Sequence, residues 1–440
     1  MTKVGIDAFN IAMHKGSGIA TYARNLNIEA RNLGYDTCLI YGPRQGPSRD
    51  DLMNEIALYD APPPKSRMEW VSASRRSISN LTSAFGRTAK PLRATTKSVI
   101  TRQVAQNAPA ADSIWVARNL FAAANQTFGM FGATTPLTLG SGGPDIMHWT
   151  CPLPIRAKGV PNLYTIHDLV PLRLPFATLD NKRRFLQLSR KLCAVADKVV
   201  TVSEASKSDI IQILGVAPDR VSVTHQSVSV PQTLLDRSDD EVAREIEGVF
   251  GLDWRGYLVF FGAVEPKKNL GRIIEAYLAS GVATPLIIVG GKAWLDDAET
   301  QLLYEDIVEI QAVKDGLIRR ADRIRRYEYL PFSLLVSLIR GARATLLPSL
   351  YEGFGLPVLE SMLLGTPVLT STEGSLPEVA GDAAVLVDPY DSHAIARAIR
   401  ELDGDADLRA DLSRRGVAQA AKFSPEVYRR KLADLYKPFH

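Results

Sequence analysis

Two glutamates with seven residues between them bracket the string Glu352-Gly-Phe-Gly-Leu-Pro-Val-Leu-Glu360. An apolar run ends at Leu347, a loop holding Gly353 and Gly355 follows, and Pro357 suits the first turn of a helix. Such a loop offers free backbone N–H groups to a phosphate or sugar oxygen. Glu352 then falls just past the carboxyl end of a strand, where open α/β sheets bind their ligands. Glu360 falls about one turn into the helix, where a carboxylate can accept two neighbouring hydroxyls. A second loop, Phe261-Gly-Ala-Val-Glu-Pro-Lys-Lys-Asn-Leu270, places Lys267 and Lys268 at another helix start. Ammonium groups there oppose the helix dipole at ~0.3–1 kcal/mol each, and a diphosphate would reverse that sign. His14-Lys-Gly-Ser-Gly-Ile19 is a glycine loop entering a helix, and Thr165-Ile-His-Asp-Leu169 sets His167 and Asp168 at a strand end. Each piece alone has a plainer reading: solvated carboxylates, exposed lysines, turn glycines, a structural histidine, and Asp168 as a cap.

These loops need strands and helices to hold them. Lys3–Ala8, Asp36–Tyr41, Asp145–Trp149, Asn162–His167, Lys198–Ser203 and Arg220–Thr224 read as strands, among helical stretches such as Ile19–Leu33 and Lys182–Ala196. A polar gap follows from Val228 to about Glu245, and the pattern restarts with strands at Tyr257–Gly262, Leu286–Gly290, Ala344–Leu347, Pro367–Ser371 and Ala384–Val387. Helices are expected at Leu270–Ser280, Glu299–Lys314, Phe332–Arg340, Pro357–Leu364 and Ser392–Leu402. Uninterrupted apolar strands such as Leu286-Ile-Ile-Val289 suit a parallel sheet covered on both faces. The fold class expected is α/β, with two doubly wound domains facing across a cleft. Boundaries fall at 1–230 for the first domain, 231–246 for a linker, 247–422 for the second domain and 423–440 for a closing helix. That helix can pack on either domain, the first included.

Composition narrows the field. At 440 residues, with 46% hydrophobic and 23% charged, the chain is globular and too long for one core. A net charge of +4 falls short of a dedicated nucleic-acid binder, so no nucleic-acid partner is expected. Cys38, Cys151 and Cys193 lie far apart, which suggests neither a disulfide framework nor a zinc site. With no apolar leader and no run long enough to span a bilayer, a cytoplasmic protein is expected.

Taken together, these motifs resemble glycosyltransferase family 4, retaining enzymes of the two-domain GT-B fold, and look most like bacterial mannosyltransferases of polysaccharide synthesis. The carriers are the E-x7-E string, Gly262 with Glu265-Pro-Lys-Lys-Asn269, Ile166-His-Asp168, Val202-Ser-Glu-Ala-Ser-Lys207 and Gly16-Ser-Gly18, with Gly365-Thr-Pro-Val368 and Leu376-Pro-Glu-Val-Ala-Gly-Asp-Ala383 downstream. The resemblance implies that Glu360 holds the donor's ribose. It implies that Glu352 and the backbone of Phe354, Gly355 and Leu356 meet the transferred sugar and diphosphate. Lys267 and Lys268 would neutralise the leaving phosphate, Gly18 would let the first-domain loop approach it, and His167 would sit beside the sugar. Many relatives carry an arginine where Ala263 stands, which leaves leaving-group charge to the lysines. The implied catalytic set is His167, Glu352 and Lys268, with no metal and no cofactor beyond a nucleotide-sugar substrate, GDP-mannose favoured over UDP- and dTDP-sugars. The acceptor expected is a saccharide or a polyprenyl-diphosphate-linked saccharide. A nucleotide-sugar 2-epimerase on the same fold is the rival activity.

Between Pro62 and Gly143 the βα rhythm stops. Residues 65–103 hold nine Lys/Arg against one acid, Glu69, and read as a basic insertion. On a helical wheel Trp70, Val71, Ile78, Leu81 and Phe85 share a face, which suits either an anionic membrane surface on the inner leaflet or a solvated surface segment.

Overall fold

The computed structural model describes residues 2–11, 18–43, 85–92, 110–291, 309–314 and 317–439. The first sheet has ten strands: β1 (Lys3–Asp7), β2 (Asp36–Tyr41), β3 (Arg87–Pro91), β4 (Ser113–Val116), β5 (Thr135–Leu139), β6 (Ile146–Trp149), β7 (Ile155–Ala157), β8 (Asn162–Thr165), β9 (Lys198–Thr201) and β10 (Val221–Val223). They lie in the order β10-β9-β8-β6-β1-β2-β4-β3-β5-β7, parallel except where β3 meets β4. Helices α1 (Gly18–Asn32), α2 (Leu120–Phe131), α3 (Lys182–Val195) and α4 (Glu204–Leu214) run between them. Helix α1 buries Ala20, Tyr22, Ala23, Leu26 and Ala30, an i, i+3, i+4 stripe that covers the sheet.

The second domain opens with α5 (Asp239–Phe250). Its sheet contains β11 (Leu258–Phe261), β12 (Leu286–Val289), β15 (Ile324–Tyr327), β16 (Ala344–Leu347), β17 (Val368–Ser371) and β18 (Val385–Val387), with a separate antiparallel pair, β13 (Glu309–Lys314) and β14 (Leu317–Asp322). The order β15-β12-β11-β16-β17-β18 is fully parallel and reverses direction between β11 and β16. Helices α6 (Leu270–Ser280), α7 (Phe332–Arg340), α8 (Leu356–Leu363), α9 (Leu376–Ala380), α10 (Ser392–Gly404) and α11 (Ala406–Ala421) complete this domain. β11, β12, β16 and β17 are buried at every residue, as strands covered on both faces must be.

Four expectations need correction. Residues 110–143 are no insertion: β4, α2 and β5 continue the first domain, their short strands disguised by alanine and polar neighbours. Most of the expected linker is helix: Gln232–Leu235 forms one turn, and α5 then starts within it because Ser238 and Glu241 form a reciprocal capping box and Asp239, Asp240 and Glu241 complement its dipole. The helix expected over Glu299–Lys314 is, at Glu309–Lys314, strand β13. Of the basic segment, the described part forms β3 rather than the end of a helix, while Trp70, Val71, Ile78 and Leu81 lie outside the described residues.

The closing helix, α12 (Pro425–Tyr436), returns to the first domain. Arg429 pairs with Glu29 of α1 at 2.7 Å, and Tyr436 Oη meets His148 Nδ1 at 2.7 Å. Tyr428 and Tyr436 are buried against Tyr22, His148 and Tyr35, so the two domains share one return segment.

Candidate active site

The loops after β11 and β16 leave the sheet on either side of the point where strand order reverses, where a doubly wound sheet opens a crevice. The first is a one-turn 3-10 helix, Pro266–Lys268, ending at Asn269 with φ 63°. Asn269 is buried and donates its side-chain amide to Pro348 O at 3.0 Å and Pro389 O at 2.7 Å, so an αL turn that asparagine tolerates fixes the lysine loop. Leu350 N donates to Lys267 O at 2.8 Å, tying this loop to the glutamate loop.

Glu352 is the centre of the cluster that results. Lys268 Nζ lies 2.5 Å from its Oε1 and Lys267 Nζ 3.7 Å from its Oε2, and Glu265 is 3.8 Å from Lys267. Burial pushes the Glu352 carboxyl up, but the two ammonium groups outweigh it and hold the group below the usual range. Lys267 is driven above its ordinary value: burial opposes its charge, and Glu352, Asp168 and Glu265 together overcome that. Ser375 holds the glutamate loop from behind, its N and Oγ donating to Glu352 O at 3.2 and 2.9 Å. Gly355, at φ 112°, turns the chain into α8, and Leu356 is the first residue of that helix. Phe354 is buried against His225 and Phe423. Glu360, half-buried on α8, has its carboxyl pushed up to about 7 by burial, with Lys268 pulling the other way.

The first domain meets this cluster edge on. A Cβ built on Gly353 would lie 2.7 Å from Asp168 Oδ2 and 2.9 Å from His167 O, so the two loops approach as closely as a glycine allows. Ser203 Oγ and Ser206 Oγ donate to Gly353 O at 2.7 and 3.2 Å. His167 Nε2–H donates to Thr150 O at 2.8 Å, which leaves Nδ1 as the ring's acceptor, and burial lowers its pKa. Thr150 is fixed in turn by buried Asp7, which accepts from its N at 2.5 Å and its Oγ1 at 3.1 Å.

The structure therefore brings His167, Lys267, Lys268, Glu352, Phe354, Gly355, Leu356 and Glu360 to one cleft. Gly18 stands at the start of α1 with open space where a Cβ would project, and Gly16 lies outside the described residues. Sequence reasoning missed the Asp7–Thr150 support of His167; Asp7 ends an apolar strand, the one signal that marked it. It also gave no role to Glu378, which accepts from Glu204 N at 2.9 Å, Ala205 N at 3.3 Å and His225 Nε2 at 2.7 Å, clasping the start of α4 to the second domain. Among the described residues no cluster of His, Cys, Asp and Glu suits a metal ion.

Two doubly wound domains closing on a carboxylate flanked by ammonium groups define a GT-B enzyme. The family model described as "Glycosyl transferases group 1" matches residues 250–419, and that of "Glycosyltransferase Family 4" matches residues 99–230. O-antigen chain mannosyltransferase B of Escherichia coli is 34% identical over 278 residues, 62% of this chain and 69% of that protein. Serotype-specific mannosyltransferase WbdA of the same species is 26% identical over 61% of this chain, which spans 33% of WbdA. Sucrose-phosphate synthase from Thermosynechococcus elongatus superposes with a TM-score of 0.66 at 15% identity, covering 100% of this chain and 99% of that one. The chain belongs to the family 4 glycosyltransferases and is a glycosyltransferase.

Proposed function

We propose that the enzyme transfers a hexose with retention of configuration, mannose from GDP-mannose being the favoured donor, to a saccharide or lipid-linked saccharide during cell-surface polysaccharide synthesis. The observation that carries this reading is the Lys267–Lys268–Glu352 cluster held against the His167–Asp168 edge. A diphosphate entering the cleft competes with Glu352 for the two ammonium groups, and as the anomeric C–O bond lengthens they neutralise the leaving phosphate. Glu352, released from part of its pairing, is free to accept sugar hydroxyls where positive charge develops. His167, neutral and locked in one tautomer, supplies an acceptor nitrogen to a further hydroxyl. The acceptor hydroxyl attacks from the donor-phosphate face as that bond breaks and gives its proton to the departing phosphate oxygen, with no covalent intermediate on the protein. The mannosyltransferase relatives support the choice of sugar, and their O-antigen and serotype names support the polysaccharide context.

Purified enzyme incubated with GDP-mannose and a mannoside acceptor should yield α-linked product, faster than with UDP- or dTDP-sugars, and should keep its rate in a chelator because lysines carry the leaving-group charge. Loss of transfer in EDTA with recovery on adding magnesium would refute the metal-free account, and conversion of the donor to its C2 epimer without acceptor would mark the 2-epimerase instead.

The pH behaviour of Glu360 tests the ribose assignment. A carboxylate accepts two hydroxyls only when ionised, and in the free protein this group titrates at about 7. Nucleotide affinity should therefore rise as pH increases through that value and then level off. Glu360→Gln should bind GDP roughly 10–100-fold more weakly and without that pH step. Calorimetric titrations on both sides of neutrality give the comparison.

The basic segment of residues 65–103 is proposed to lie on an anionic inner-leaflet surface; no helix among the described residues is long and apolar enough to cross a membrane.

A further inference from the structure

Helix α3 is unusual in its charge. Its sequence, KRRFLQLSRKLCAV, holds Lys182, Arg183, Arg184, Arg190 and Lys191 and no acid. Three of these cations occupy the first turn, where the helix dipole disfavours them. Phe185, Leu188, Leu192 and Cys193 face the first-domain core, while Arg183, Arg184, Gln187, Arg190 and Lys191 are exposed along the other side. No ion pair with a carboxylate compensates these five cations among the described residues.

Exposed apolar side chains stand around the same end of the helix. Phe176 is 61% exposed and Leu179 66%, both just ahead of the Asn181 cap. Arg184 Nη2 donates to Asn125 O at 2.5 Å, and its guanidinium lies 3.4 Å from where a Cβ on Gly129 would be. This fastens the first turn of α3 to the end of α2 that carries Met130, 47% exposed, and Phe131, 56% exposed. Four large apolar groups thus sit in water beside a stripe of uncompensated cations, an arrangement that a purely solvated face gives no reason for.

The patch adjoins the cleft. Thr178, Leu179 and Asp180 line a cavity of about 380 Å³ whose opposite wall is Asp168, Glu265 and Lys267. A surface that rests on Leu179 and the first turn of α3 therefore brings the mouth of the transfer cleft against whatever it rests on.

We propose that the exposed face of α3, with Phe176, Leu179, Met130 and Phe131, docks on an anionic lipid bilayer. The cations meet lipid phosphates, the four apolar side chains enter the headgroup boundary, and the cavity beside Lys267 opens toward the membrane, where an acceptor carried on a lipid would be presented. That last point rests on the lipid-linked acceptor proposed above; the docking itself does not. It is a different surface from residues 65–103, and charge complementarity commits it to anionic rather than zwitterionic lipid.

The test is flotation of the full-length enzyme with vesicles of phosphatidylcholine alone or with about one-third phosphatidylglycerol, at low and high salt. Three proteins are compared: the parent, Arg183→Ser/Arg190→Ser/Lys191→Ser, and Phe131→Ser/Phe176→Ser. The parent should float with the anionic vesicles only, and less at high salt. The charge variant should partition on the order of a hundredfold more weakly, about fivefold per removed cation, and the apolar variant should also lose binding. Both should retain nucleotide affinity and transfer to a soluble acceptor, since no substituted residue belongs to the site; this shows that they are folded and separates docking from the transfer reading. Failure of the parent to float, equal flotation by all three proteins, or binding to soluble nucleic acid with none to vesicles would overturn the proposal.

Discussion

Lys268→Ala is expected to lower kcat/KM about 10–100-fold and to destabilise the fold by about 3 kcal/mol. The two effects have separate origins. The catalytic one, on the proposed mechanism, is loss of a charge-assisted contact to the leaving phosphate. The structural one is that Glu352, one-tenth exposed at its side chain, loses the ammonium 2.5 Å from Oε1 and keeps only Lys267 at 3.7 Å. Removing one member of a buried pair strands the other, at a typical cost of about 3–5 kcal/mol, and the remaining lysine puts this site at the low end. The double variant Lys268→Ala/Glu352→Gln separates them. With the stranded charge gone, most of the stability should return in denaturant titration, while transfer should fall further because the sugar has lost its carboxylate. The parent's acid sensitivity carries the same signature. Its Glu352 carboxyl is held below the ordinary carboxylate value, so the pair stabilises the fold above the unfolded-state pKa and that contribution is lost as pH falls through the depressed one. In the double variant this acid-side loss should vanish. Recovery of transfer along with stability would show that Lys268 acts on the fold alone.

Much of this cluster was legible because the loops that carry it are bounded by strands whose sequences admit no other reading. Leu258-Val-Phe-Phe261 and Ala344-Thr-Leu-Leu347 are short, apolar but for Thr345 and ended by glycine or proline, so Lys267, Lys268 and Glu352 fall at strand ends by position alone. The helix starts of α6 and α7 were equally plain. What sequence pattern could not supply was pairing. Arg87-Thr-Ala-Lys-Pro91 buries only Ala89 and is a strand because β4 and β5 flank it, not because its residues alternate. Glu309–Lys314, expected as the end of a helix, is a strand because each of its residues pairs across to Leu317–Asp322, a partner that its own sequence does not announce. The clasp of Glu378 on Glu204 N, Ala205 N and His225 joins residues more than 150 positions apart, and no local signal announces it. His225 itself sits at φ 60°, a conformation that its tertiary contacts and not its neighbours in sequence impose.

Gly353→Ala should abolish most transfer while leaving nucleotide binding almost unchanged. The residue belongs to the glutamate loop of the second domain, but the atoms an added Cβ would strike belong to the first: Asp168 Oδ2 at 2.7 Å, Asp168 Cβ at 2.8 Å and His167 O at 2.9 Å. One of the three is backbone, so rotamer change cannot relieve the clash, and Ser203 and Ser206 pin the Gly353 carbonyl from the same side. The chain must therefore move the two loops apart, at an overpacking cost of about 1–3 kcal/mol. Nothing in that movement touches Glu360 or the αL turn at Asn269, so a nucleotide held by the second domain should bind within about twofold of the parent by calorimetry. On the proposed mechanism transfer depends on His167 and Glu352 facing the same sugar, and a displacement of about 1 Å at such a site costs on the order of a hundredfold. The expected result is a kcat reduced about 30–300-fold at saturating donor, with GDP affinity retained and a stability loss confined to the closed arrangement. Equal falls in GDP affinity and kcat would mean that the substitution had damaged the donor loop itself. An unchanged kcat would mean that the close approach of Gly353 to His167 and Asp168 is no part of the reacting geometry.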